Sequence, residues 1–156
     1  MSDLVIAKEP ADSAVAIACV TAYFAELAAR FDGGFDPGQP GYANPKDAGD
    51  FFVAHLGDSV VACGAVKKHA PGIAEIKRMW VSPSARGQGI ASALLKALEV
   101  EARRQGYAQV VLDTNKVLIE AHALYRKAGY RETERFNDNP YAHLWFVKNL
   151  EPFSAS

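Results

Sequence analysis

Residues Met79 to Ala97 read M-W-V-S-P-S-A-R-G-Q-G-I-A-S-A-L-L-K-A, and the fold turns on how this stretch is parsed. A strand-like run, Ile73 to Val81, ends at Ser82-Pro83. A polar loop carries Arg86-Gly87-Gln88-Gly89. Beyond it Ile90, Leu94, Leu95, Leu98 and Ala102 recur at helical spacing. The stretch is therefore strand, glycine-rich turn, helix. The first N–H groups of a helix have no partner inside it, and the helix dipole favours negative charge there. Gly87 and Gly89 carry no Cβ, so a ligand can approach the main chain closely. Such a turn suits a phosphate group. It also occurs simply to let a helix pack on a strand.

Two familiar phosphate motifs do not fit. The dinucleotide fingerprint needs a third glycine where this chain has Ser92, and the Gly-Lys-Ser/Thr ending of a P-loop is absent. The pattern that fits is R-x-x-G-x-A, Arg86 to Ala91, preceded by V-S-P. In this the chain resembles the GNAT superfamily of acyl-CoA-dependent N-acyltransferases, whose Q/R-x-x-G-x-G/A signature binds the pyrophosphate of acetyl-CoA. A second family signature, A-x-x-L-Y-x-x-x-G-Y/F, is matched by Ala121, Leu124, Tyr125, Gly129 and Tyr130. Many relatives carry asparagine three residues before that alanine, where this chain has Leu118. Asn115 is the expected substitute.

Composition bounds the answer. The 156 residues suit one domain, with a core over about 3–150, and a hydrophobic fraction of 49% can fill it. A net charge of −1 and the lack of a basic cluster speak against nucleic acid as a partner. No apolar run approaches a membrane span, and the N-terminus has no signal-peptide pattern, so a soluble cytoplasmic domain is expected. Cys19 and Cys63 sit in apolar runs and read as small buried hydrophobes. No His/Cys/Asp/Glu cluster has metal-ligand spacing, so no metal is expected.

In order, Leu4 to Lys8 reads as a strand. Asp12 or Ser13 caps a helix whose apolar residues include Val15, Ile17, Val20, Phe24, Leu27 and Phe31. Residues 33–49, with five glycines and three prolines, form a long loop that Phe35 and Tyr42 can pin to a pocket. Phe51 to Leu56, Val60 to Lys67 and Ile73 to Val81 make an antiparallel meander. The signature helix spans Gln88 to Gln105. Then follow a strand at Gln109 to Asp113, a helix at Leu118 to Ala128, and strands at Tyr130 to Arg135 and His143 to Leu150. A frayed tail, 151–156, ends the chain. This α/β order, β-α-loop-β-β-β-α-β-α-β-β, is similar to the GNAT fold, which implies a mixed sheet with its fourth and fifth strands splayed apart.

The resemblance implies where chemistry sits. The pantetheine arm of acetyl-CoA would pair with the main chain of Met79 and Val81, as a ligand added to a strand edge. The N–H groups from Gly87 through Gln88, Gly89, Ile90 and Ala91, with Ser92 beside them, would meet the pyrophosphate, with Arg86 adding charge. Asn115 and Tyr125 complete the expected cofactor contacts. An N–H near Met79 or Trp80 would face the thioester oxygen. Tyr125 is the expected acid, because a phenol (pKa about 10) can donate toward a thiolate (about 8.5). Glu75 is the candidate base for the acceptor amine, with the alternative that it is an exposed strand residue facing Lys77. His143 is a further candidate. Acceptor contacts are expected from Glu26, Arg30, Phe31, Phe35, Asp36 and Tyr42, and from Phe136, Asn139, Tyr141 and His143.

These readings converge on transfer of an acetyl group from acetyl-CoA to the primary amine of a small molecule or amino acid, within a ternary complex. The alternatives are a protein lysine or N-terminal acetyltransferase, and a non-catalytic acyl-CoA sensor. The acceptor, the acyl chain length and the oligomeric state, a homodimer included, are left open at this level.

Overall fold

The computed structural model describes residues 3–39, 42 and 49–152. The long loop therefore lies partly outside the described residues, as does the end of the tail. The elements are β1 (Leu4–Glu9), α1 (Ala14–Arg30), β2 (Asp50–Leu56), β3 (Ser59–Ala70), β4 (Ile73–Val81), α2 (Ile90–Arg104), β5 (Gln109–Thr114), α3 (Ile119–Lys127), β6 (Arg131–Thr133) and β7 (Leu144–Asn149). A short 3-10 turn, Pro83–Ala85, links β4 to the glycine turn. The strands form one mixed sheet in the order β1-β2-β3-β4-β5-β7-β6, in which only β4 and β5 run parallel.

Two helical layers cover the sheet, and strand alternation decides which residue faces which. On β3, Ala62 and Val66 join the cluster beneath α2, built with Leu94, Leu95, Leu98 and Ala102. Cys63 and Ala65, one residue out of step, join Ala16 and Cys19 of α1. Both cysteines are thus buried. Ser13 rather than Asp12 caps α1, its Oγ accepting from the Ala16 N–H at 3.1 Å. Ile17, expected on the inner face, is 46% exposed, because small Ala16 and Cys19 make the close contact with the sheet instead.

Two features of β4 prepare a site. Its pairing with β5 covers only Ile73 to Glu75, against Gln109 to Val111, so beyond Glu75 the two strands part as the fold resemblance implies. On the other side a bulge sets Arg78 and Met79 against the single residue Gly64, since Lys77 pairs with Ala65 and Trp80 with Cys63. Arg78 adopts φ 56°, in the left-handed region. The extra residue resets the alternation. Ala74 and Ile76 face the α2 cluster before the bulge, Met79 and Val81 do so after it, and Trp80 turns to the α1 side. Gly64 is the tight point: a Cβ there would lie 2.8 Å from Leu98 Cδ1 and 3.2 Å from Met79 Cγ.

The C-terminal hairpin is shorter than its sequence suggests. β6 keeps only Arg131 to Thr133, all exposed at the sheet edge. Tyr130 is buried instead, its hydroxyl donating to Glu99 Oε2 at 2.8 Å. Among the described residues no helix is long and apolar enough to cross a membrane.

Candidate active site

The gap between β4 and β5 opens into two cavities that meet. One is a groove of ≈ 410 Å³ running from Tyr125 to the glycine turn. Its walls include Met79, Trp80 and Val81 of β4, the turn residues Arg86, Gly87 and Gly89, and Ile90, Ala91 and Ser92 at the start of α2. The other is a compact pocket of ≈ 80 Å³ reaching the opposite way, toward Asp113, Asn139 and Tyr141. Tyr23, Leu27, Met79, Leu118, Ala121 and Tyr125 line both.

The turn is built by backbone conformation. Gly87 and Gly89 have φ 79° and 78°, where a Cβ is strained, yet nothing lies within 4 Å of a Cβ placed on either. Their lack of a side chain therefore serves the turn and leaves the space in front of it open, which close helix–strand packing would not. α2 starts at Ile90 rather than Gln88, with Gly89 in the N-cap position and no side chain capping it. The residues that carry its first N–H groups, Ile90, Ala91 and Ser92, line the groove, where a phosphate would find donors and the positive end of the helix. Gln88 is exposed and is not part of the groove wall.

Arg86 does not hang free beside the turn. Its Nε donates to the Val81 carbonyl at 3.1 Å, and its Nη2 meets Glu26 Oε1 at 2.5 Å. The same Glu26 oxygen accepts from Trp80 Nε1 at 3.2 Å. Arg30 joins Glu26 to Glu120 of α3 and donates to the Val117 carbonyl. The Arg30 hydrogen bond holds the Glu120 carboxyl below its ordinary pKa. Glu26, expected to contact an acceptor, instead stands in the groove wall beside the turn.

Tyr125 is buried where the cavities join. Burial first, then the charges of Asp113 and Glu120, push its phenol pKa far above the ordinary value, so the hydroxyl keeps its proton at physiological pH. The bulge at Arg78 and Met79 lies opposite, on the stretch of β4 that β5 leaves unpaired.

Aromatic rings wall one side of the smaller pocket. Phe31 and Tyr141 are 5.6 Å apart between centroids, and Phe35 packs against Tyr42 at 5.0 Å and Tyr141 at 4.9 Å. Polar bonds staple the layer shut: the Asp36 N–H donates to the Tyr141 hydroxyl at 2.7 Å, and Asn139 Nδ2 donates to the Tyr42 hydroxyl at 2.8 Å. Phe31, Tyr42 and Tyr141 line the pocket, and Phe35 supports them from behind.

Three expected residues stand elsewhere. Glu75 is 5% exposed, not a solvated strand residue; it lines neither cavity and lies 3.7 Å from Lys77 Nζ. It is linked to the pocket wall by Lys77, which lines the pocket, and by Asn137, whose Nδ2 lies 3.3 Å from Glu75 Oε2 and 2.6 Å from Asp113 Oδ2. His143 is exposed and outside both cavities, its Nδ1 accepting from the Lys116 N–H at 3.1 Å. Asn115 lines the pocket rather than the groove. Both ends of its amide are used locally, toward the Tyr141 carbonyl and the Val117 N–H. Tyr23, Arg78 and Asp113 line the pocket and were not singled out from sequence. For Asp113 a signal existed: it is the one carboxylate closing the apolar run V-V-L-D-T.

Comparison with known proteins agrees with this geometry. The profile of the acetyltransferase (GNAT) domain matches residues 47–132. An IAA acetyltransferase of Azospirillum brasilense is 40% identical over 92 residues, 58% of this chain and 59% of that protein. The chain spans about half the length of the curated relatives it matches. Among solved structures, an acetyltransferase of the GNAT family from Staphylococcus aureus superposes with a TM-score of 0.78 at 18% identity, covering 96% of this chain and 100% of that one. A GNAT family acetyltransferase from Elizabethkingia anophelis with acetyl-CoA bound gives 0.68 at 18% identity, covering 96% and 100%. Splayed strands, glycine turn and profile match agree: the chain belongs to the GNAT acetyltransferase domain family.

Proposed function

We propose that the protein transfers an acetyl group from acetyl-CoA to the primary amine of a small molecule. The observation that carries this reading is the junction of a long open groove with a much smaller, aromatic-walled pocket at Tyr125 and Met79. A groove ending in free helix N–H groups suits a diphosphate-bearing arm, and a pocket of ≈ 80 Å³ under a stapled aromatic layer suits a small acceptor rather than a peptide. Acetyl-CoA, when bound, supplies an acetyl group activated as a thioester.

The chain's own residues have distinct tasks in this reading. The N–H groups at the start of α2, with Arg86, hold the phosphate end. The unpaired edge of β4 from Met79 to Val81 aligns the arm, and an N–H at the bulge offers the thioester oxygen a donor. Tyr125 holds a proton at the junction for the departing sulfur, and the proton that the neutral amine nitrogen loses as the amide forms returns to the phenolate. The aromatic layer excludes water from the acceptor side.

A thiol-release assay with acetyl-CoA over small amines, amino acids and peptides tests the proposal. Release with small amines is the expected outcome. Release with peptides alone would favour a protein acceptor, and tight acetyl-CoA binding without release would favour a sensor.

A further inference from the structure

We infer that Asp113 receives the acceptor's ammonium group, and that the acceptor is a small cationic amine with no carboxylate beside its nitrogen. The inference rests on the acceptor pocket assigned above and narrows what enters it.

Asp113 stands two residues past Val111, the last β5 residue paired with β4, where the strands begin to part. It lines the pocket. Its oxygens are aimed by two side-chain amides: Oδ2 accepts from Asn137 Nδ2 at 2.6 Å and Oδ1 from Asn139 Nδ2 at 3.2 Å. Those amides are themselves fixed. Asn137 Oδ1 accepts from Trp145 Nε1 at 3.0 Å, and Asn139 Oδ1 accepts from the Tyr141 N–H at 3.0 Å. Neutral amides orient a carboxylate without cancelling its charge.

The cations on the same wall are engaged with other groups. Lys77 Nζ lies 3.7 Å from Glu75 Oε2. Arg78 donates from Nη2 to the Tyr42 carbonyl at 3.2 Å, and its guanidinium lies 5.7 Å from the Phe24 ring centroid. Among the described residues Asp113 makes no ion pair. A half-buried carboxylate held by two amides at the pocket wall, and paired with no cation among the described residues, is completed by a cationic ligand. Its field reaches across the pocket: the phenols of Tyr23, Tyr42 and Tyr125 are all held protonated, by burial first and with a contribution from Asp113. The seat for the amine is therefore in electrostatic contact with the residue at the cavity junction.

The same charge excludes. An α-amino acid would bring its own carboxylate against Asp113, and like charges juxtaposed in a confined site discriminate strongly. Size adds a limit, since the pocket, at ≈ 80 Å³, is far smaller than the ≈ 410 Å³ groove it joins.

Calorimetric titration of the protein saturated with coenzyme A decides the matter, using propylamine, alanine and propionate as three-carbon probes. Propylamine should bind at least tenfold more tightly than either carboxylate. Asp113→Asn should weaken propylamine at least tenfold while leaving coenzyme A affinity within twofold. The inference is overturned if propylamine does not bind, if alanine or propionate binds as well, or if Asp113→Asn binds propylamine as the parent does. The selectivity arm uses the parent protein, so it holds even if the variant misfolds. Propylamine binding without thiol release from any amine would sink the proposed function and leave this inference standing. Release with amino acids only would do the reverse.

Discussion

Arg86 and Glu26 meet at the wall of the cofactor groove, Nη2 to Oε1 at 2.5 Å, so the cation beside the phosphate turn already carries an anion from α1. Glu26 is thus a negative charge in a groove suited to a polyanion, offset by Arg86 and Arg30. Glu26→Gln removes that charge and keeps the shape. Acetyl-CoA should bind more tightly, by up to about fivefold, the scale of a partly exposed pair worth ~0.2–1 kcal/mol. The acceptor KM should not move. Titration calorimetry and steady-state kinetics read the two effects, and weaker cofactor binding would contradict the charge argument.

The glycines make a contrast that separates conformation from packing. At Gly89 the surroundings are open and φ is 78°, so Gly89→Glu adds left-handed strain of ~1–2 kcal/mol and sets an anion where the diphosphate would lie. Acetyl-CoA binding should vanish in a folded protein. Gly64→Ala instead drives a methyl into Leu98 and Met79 and should cost about 1–3 kcal/mol of stability. Thermal unfolding should show both variants destabilised, and cofactor titration should show binding lost in Gly89→Glu only.

Tyr125→Phe keeps the ring in its site and removes one hydroxyl. If that hydroxyl supplies a proton, turnover should fall by about 10²–10⁴-fold with cofactor affinity retained. Because burial and the nearby carboxylates raise the phenol pKa, the parent's rate should show no phenol titration below pH ~10. A variant as fast as the parent would make Tyr125 a packing residue only.

Element order and the glycine turn were legible in the sequence because each rests on short-range patterning: helical spacing after Gly89, an apolar strand-like run before Ser82. The bulge was not. It depends on Gly64 meeting Leu98 from a different element, and it puts Glu75 and Met79 on opposite faces where simple alternation puts them on one. Glu75 is a candidate base because the family resemblance puts a glutamate at that strand position, and the structure buries it outside both cavities, beside Lys77 and Asn137. His143 is a candidate from its side chain, and its exposed ring stands outside both cavities with Nδ1 accepting from the Lys116 N–H. Tyr42 is expected near a pocket because rings in a long glycine-rich loop need somewhere to pack, whereas Phe31 and Tyr141 are expected there from the family resemblance; all three line the smaller pocket. Asp113 was passed over because a strand-ending carboxylate looks solvated until the hairpin that carries Asn137 and Asn139 folds over it.

The alkaline limit of stability follows from buried phenols. Tyr42, Tyr125 and Tyr130 all have folded-state pKa values raised above the ordinary ~10, chiefly by burial. The folded state therefore holds these protons more tightly than the unfolded chain. The sign is fixed by that difference: their contribution is complete below pH ~10 and is lost as pH climbs from the unfolded toward the folded value. Tyr130 is the strongest case, since its hydroxyl donates to Glu99, which Lys148 Nζ also meets at 2.9 Å. Denaturant midpoints should hardly respond to these groups from pH 7 to about 9.5 and should fall steeply above that. Tyr130→Phe leaves Glu99 with Lys148 alone, so it should cost about 1–3 kcal/mol at neutral pH and flatten the alkaline slope. Urea titrations of parent and variant at pH values from about 7 to 11 measure both effects. A variant whose midpoints fall in parallel with the parent's would show that Tyr130 does not share in the alkaline transition.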